Sequence, residues 1–166
     1  MGEVIGIISI KGGVGKTTAT SSLGATLANH FNKKVLLVDG NYSAPTLALH
    51  LGILKPEITI KHVLANEHDI KHAICETERG FHIIPGSFRK KSINFFNLKK
   101  KLEKIKKDYD IILIDSSPNL NEEMISTMMA SDKLLVVTTP DYPTLVCTLK
   151  AVKTANEKRV PIIGII

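Results

Sequence analysis

Long apolar runs are missing from this sequence. Stretches such as Ile111-Ile112-Leu113-Ile114 and Leu134-Leu135-Val136-Val137 fall far short of the roughly 20 residues that a membrane-crossing helix needs. No basic stretch precedes an apolar core at the N-terminus and no cleavage site follows one, so nothing there resembles a signal peptide. The two cysteines, Cys75 and Cys147, stand far apart and in no metal-binding spacing. A reducing, cytoplasmic setting is therefore expected. Tryptophan is absent and aromatic residues make up only 5% of the chain. Repeats and low-complexity linkers are lacking too, and the 166 residues read as one domain, 1–166.

What is present is an ordinary globular balance, 43% hydrophobic and 23% charged. The net charge of +6 is local: Arg89, Lys90, Lys91, Lys99, Lys100, Lys101, Lys104, Lys106 and Lys107 face only Glu103 between residues 89 and 107, which leaves the rest slightly acidic. Short β-branched runs alternate with helical periodicity. Strands are expected over Val4–Ile10, Lys34–Asp39, Phe81–Pro85, Asp110–Asp115, Lys133–Thr138 and Val160–Ile166. Helices are expected over Thr17–Phe31 (Leu23, Leu27 and Phe31 on one face), Leu120–Ala130 and Tyr142–Asn156, with a short one from Pro45 to Leu51. Leu98, Leu102, Ile105 and Tyr109 form the apolar face of a further helix, with the lysines opposite. The alternation predicts an α/β fold, a mostly parallel sheet flanked by helices on both faces, whose ligands sit at the carboxyl ends of the strands. Because the last strand is apolar and nothing follows to cover it, the domain is expected to lack its C-terminal part.

The stretch Lys11-Gly12-Gly13-Val14-Gly15-Lys16-Thr17-Thr18 stands where the first strand gives way to a helix. A loop there can turn successive backbone N–H groups inward as an anion nest at the positive end of the helix dipole. Gly12, Gly13 and Gly15 permit the positive φ angles such a nest uses. Lys16 would reach the β- and γ-phosphates and the Thr17 hydroxyl would ligate Mg²⁺. Asp39 and Asp115 each close a strand at the same edge and can hold the waters of a magnesium ion. The competing readings are a glycine turn without a ligand and acids that merely begin turns.

The loop resembles the deviant Walker A motif of the MinD/ParA family of P-loop ATPases. "VLLVDGNYSAPTLALHLGI" and "DYDIILIDSSPNLNEEMISTMMASDKLLVVTTPDYPTL" are similar to that family's second motif and to its Walker B region with the strand after it. The likeness runs from Val4 to Ile166, with the archaeal MinD-like proteins most similar. It implies a P-loop NTPase fold, ATP/ADP and Mg²⁺ as ligands, and slow ATP hydrolysis by an ATP-dependent homodimer under an activating protein partner. It further implies that Lys11 crosses the dimer to the other subunit's phosphates, like an arginine finger, and that Thr18 contacts the α-phosphate. The competing reading of Lys11 is a solvated loop lysine. The use implied is spatial positioning, at the cell division site or in DNA segregation. Many members have Asp where this chain has Asn41, which can orient a water but cannot take its proton; a nucleotide-controlled scaffold or metallochaperone-like adaptor with little turnover is the alternative.

Weaker signals remain. Lys99–Lys107 reads as the wet face of a helix, or as a patch for an anionic membrane surface or nonspecific DNA that would place the protein at the periphery of membrane or nucleoid. No aromatic interleaves with those lysines, which disfavours single-strand stacking. His68, His72 and Cys75 could share a helix face as metal ligands, but a surface helix is the preferred reading. Without paired cysteines an iron–sulfur cluster is disfavoured, and Cys147, among Leu145, Val146 and Leu149, is expected in the core.

Overall fold

The computed structural model describes residues 2–89 and 91–166. In chain order its elements are β1 (Glu3–Ile8), α1 (Lys16–Phe31), β2 (Val35–Gly40), α2 (Leu47–His50), α3 (Ile60–Leu64), β3 (Cys75–Glu76), β4 (His82–Ile84), α4 (Leu98–Glu103), β5 (Ile111–Ser116), α5 (Glu122–Ala130), β6 (Lys133–Val136), α6 (Tyr142–Glu157) and β7 (Ile162–Ile165). The strands form one sheet in the order β3-β4-β2-β5-β1-β6-β7. Only the β3–β4 pair at the edge is antiparallel; the others run parallel, as the alternation of strands and helices predicts.

Period-2 geometry divides the strand residues between two layers. Val35 and Leu37 of β2 and Leu113 of β5 join Leu23, Leu27 and Ala28 of α1 in one apolar cluster. Leu36 and Val38, with Ile112 and Ile114, join Leu98 and Leu102 of α4 and Val63 of α3 in another. A third gathers Ile8, Leu134 and Val136 with Met124 and Met128 of α5 and Ala151 and Ala155 of α6. A strand buried on both faces must be apolar at every position, and β2 is buried throughout. The polar residues that end β2 and β5 are therefore exceptions to the pattern.

Several expectations need correction. β1 stops at Ile8, two residues early, because the Ser9 hydroxyl donates to the Lys11 carbonyl (3.1 Å) and the loop has begun. Phe31 is 62% exposed, so only Leu23 and Leu27 of the expected face pack on the core, beside the buried Lys16, Thr20 and Gly24. The lysine segment is helical only over Leu98–Glu103, and a 3-10 turn at Lys106–Asp108 carries the same apolar face on to Tyr109. His68, His72 and Cys75 share no helix, since a 3-10 turn (Ile70–Ala73) runs into β3. Cys147 is only half-buried, and its neighbours Leu145, Val146 and Leu149 are exposed. The buried stripe of α6 is Thr144, Thr148, Ala151 and Ala155, small residues at helical spacing that let the helix lie close on the sheet. The basic segment spends part of its charge internally, through Lys91–Glu67, Lys104–Asp69 (3.2 Å) and Lys106–Asp132 (2.7 Å). Lys90 lies outside the described residues.

Candidate phosphate-binding site

The strand order puts β5 between β1 and β2, so the loops leaving all three emerge side by side at one sheet edge. Gly15 precedes α1 with φ 90° and Gly13 has φ 77°. A Cβ at either would meet nothing within 4 Å, so backbone conformation and not crowding calls for glycine there. Gly12 departs from expectation in having no positive φ; its place on the cavity wall is what remains of its role. No side chain caps α1 and no acid lies in its first turn, which leaves N–H donors and the positive dipole end open to an anion.

Lys16 is buried to 9% exposure, and its ammonium lies 3.6 Å from Asp115 Oδ1. Asp115 also accepts the hydroxyl protons of Thr17 (2.6 Å) and Thr20 (3.5 Å). Asp39 and Asp115 are direct partners in the β2–β5 register. Asp39 receives the backbone N–H groups of Asn41 (3.1 Å) and Leu47 (3.2 Å), one on each oxygen. Burial, then the neighbouring Asp115 charge, pushes the Asp39 pKa up to about 8. Burial raises that of Asp115 as well, against the pull of Lys16 and Thr17. Gly86 closes over Asp39, where a Cβ would lie 2.3 Å from that of Pro45 and 3.1 Å from Asp39 Oδ2.

A cavity of about 320 Å³ is lined by Lys11, Gly12, Gly13, Gly15, Lys16, Thr17, Thr18 and Asn41, joined by Thr46, His50 and Pro118. Val14 packs against the α1-side core and offers only its backbone. Thr46 and His50 were not singled out from the sequence, although their four-residue spacing puts them on one helix face. Lys11 lines the cavity, but its ammonium is bonded to α6. Its ammonium is 2.8 Å from Thr144 Oγ1 and 3.3 Å from both oxygens of Asp141, the N-cap of α6. The Thr139 and Thr144 hydroxyls, the Thr144 N–H and Lys11 hold the Asp141 carboxyl far below the usual carboxylate range. Asn41 closes its own loop, donating to the Ala44 carbonyl (2.7 Å) and accepting from the Ala44 N–H (3.3 Å).

An uncapped helix N-terminus, a buried lysine and two desolvated carboxylates beside a threonine hydroxyl fit a phosphate chain with a hard divalent cation. A family model described as an AAA domain matches residues 2–160. An uncharacterised ATP-binding protein of Methanocaldococcus jannaschii is 32% identical over 168 residues, covering 98% of this chain and 63% of its own length. A virulence plasmid ParA family protein of Chlamydia psittaci is 31% identical over 150 residues, 84% of this chain and 58% of its own. The septum site-determining protein MinD of Pyrococcus horikoshii, solved with Mg-ADP, superposes with a TM-score of 0.93 at 32% identity, over 99% of this chain and 69% of that one. This chain belongs to the MinD/ParA family of P-loop ATPases. It spans less than two thirds of the length of the two relatives matched by sequence.

Proposed function

We propose that this protein is a Mg²⁺-dependent ATP-binding and ATP-hydrolysing switch that works as an ATP-dependent homodimer in spatial positioning. The observation that carries the reading is the meeting of Lys16, Thr17, Asp39 and Asp115 below the uncapped start of α1. The Gly12–Thr18 backbone and Lys16 hold the phosphates, and Thr18 lies at the α-phosphate. Thr17 ligates magnesium, with Asp39 and Asp115 holding its waters, so the repulsion built into the carboxylate pair is relieved when the site fills. A magnesium ion held by Thr17, Asp39 and Asp115 would supply positive charge against the phosphoryl oxygens. Lys11, released from Asp141, supplies a second cation to the partner's phosphates. Asn41 orients the attacking water without taking its proton, which makes turnover slow.

Single-turnover hydrolysis with and without Mg²⁺ tests this: Lys16→Ala is expected to abolish a measurable wild-type rate. A wild-type rate equal to that of Lys16→Ala would instead favour a nucleotide-controlled scaffold or metallochaperone-like adaptor, the reading that Asn41 supports. Contact with an anionic membrane or nonspecific DNA falls to Lys99, Lys100, Lys101 and Lys107, for which no ion pair is seen among the described residues. Such contact weakens steeply with salt, and salt-insensitive retention would overturn it. Among the described residues no helix is long and apolar enough to cross a membrane.

A further inference from the structure

We propose that Glu123 is a positioning residue for hydrolysis, holding through Ser43 the loop that carries Asn41. The inference rests on the hydrolytic reading above. Glu123 sits on α5, only 5% exposed, and among the described residues its hydrogen bonds run to Ser43 and to none of the phosphate-site residues. Its carboxylate accepts the Ser43 hydroxyl proton and lies 3.4 Å from the Ser43 backbone N–H. Ser43 follows Asn41 by two residues and Asp39 by four, while α5 begins just beyond the loop that leaves Asp115. One hydrogen-bonded pair thus ties the loop that continues from Asp39 to the first turn of the helix that follows Asp115.

The surroundings favour a fixed tie. Lys61, 7% exposed, donates to the Arg89 carbonyl at 2.9 Å and supplies positive charge near Glu123, which partly offsets the cost of its own burial. Tyr42, between Asn41 and Ser43, stacks on Phe95 with ring centres 5.4 Å apart. Behind the loop lies a cavity of about 340 Å³ lined by Tyr42, Ser43, Lys61, Phe95 and Glu123. With the tie cut, the loop has room to sag into that space and carry Asn41 away from the phosphate site. The side-chain bonds of Asn41 itself run only to Ala44, inside the same loop, so they cannot fix the loop relative to α5.

The test compares Glu123→Ala, Glu123→Gln, Ser43→Ala and the Glu123→Ala/Ser43→Ala double variant. Glu122→Ala, at the exposed neighbour, is the control. Three readouts are taken: single-turnover ATP hydrolysis, affinity for a non-hydrolysable ATP analogue, and hydrogen exchange of residues 40–47 without nucleotide. Each alanine variant is expected to hydrolyse about tenfold more slowly, since small misplacements are costly in rate, with affinity unchanged within about twofold. The double variant should be no slower than either single one, because the two residues act as one unit. Glu123→Gln keeps the acceptor and should recover to within about threefold of wild type. Exchange at 40–47 should quicken in both alanine variants and not in Glu122→Ala. Wild-type rate and exchange in Glu123→Ala would overturn the proposal. So would a parallel loss of rate, affinity and melting temperature without a change specific to 40–47. If the wild type turns over no faster than Lys16→Ala, the hydrolytic reading fails by itself, and exchange at 40–47 still decides whether Glu123 holds the loop.

Discussion

At the scale of single residues, the site is built from groups that the fold would be more stable without. Asp39 is a carboxylate in a place that suits a neutral side chain, and its pKa is raised to about 8 chiefly by burial. A group whose folded pKa lies above its unfolded value stabilises fully below the unfolded pKa, near 4, and loses that contribution as pH rises through the folded one. The nucleotide-free protein should therefore lose melting temperature between about pH 4 and pH 8. Asp39→Asn, which never ionises, should flatten that decline and melt about 3 °C or more above wild type at pH 8, even though it forfeits one of two backbone hydrogen bonds. Calorimetry across the pH range checks this, and equal slopes for the two proteins would refute it. Glu123 is a third buried acid, in a different neighbourhood: Ser43 donates to it and Lys61 stands near.

At the scale of elements, α1 is defined by how it starts. Lys16 and Thr20 on its buried face turn toward Asp115, where a purely structural helix would place apolar residues. The left-handed Gly15 lets the chain turn from loop into helix with its first N–H groups free. Gly15→Ala should cost about 1–2 kcal/mol of folding stability, from the left-handed backbone and not from a clash, and should weaken nucleotide binding by displacing the nest. Denaturant unfolding reads the first effect and titration with an ATP analogue the second. α6 is capped differently, by Asp141 with Pro143 in its first turn. That capping pattern is visible in the sequence; that the same carboxylate also holds Lys11, 130 residues away, is not.

At the scale of the whole molecule, the contact between Lys11 and Asp141 bears on the proposed dimer. Both side chains are part-exposed, at 45% and 39%, and lie 3.3 Å apart, so solvent screens the pair and it holds Lys11 only weakly. A lysine with a role in another subunit must leave this partner before it can act. Asp141→Asn preserves the helix cap and removes the charge. It should shift ATP-induced dimerisation to lower protein concentration, whereas Lys11→Ala should abolish dimerisation and leave monomeric ATP binding in place. Sedimentation with and without an ATP analogue distinguishes these outcomes. Dimerisation of Lys11→Ala at the wild-type concentration would remove Lys11 from the interface.

The mostly parallel sheet, the glycine loop before α1 and both strand-end acids were legible in the sequence. Each depends on local pattern: apolar runs of strand length, glycines before a helix, a carboxylate after four hydrophobic residues. The register that sets Asp39 beside Asp115 depends on which strands become neighbours, and so do the distant partners of Lys11 and Ser43. Local pattern also misled where exposure was decided from outside, as at Phe31, Cys147 and the apolar outer side of α6. Periodicity shows which residues share a face, but only the packed neighbours decide whether that face is covered. The sequence by itself determined most of the elements and the residue types at their ends, though not the short α3 and β3. The tertiary structure decided which of those ends meet, because a long-range contact is set by the whole sheet order and by no single segment.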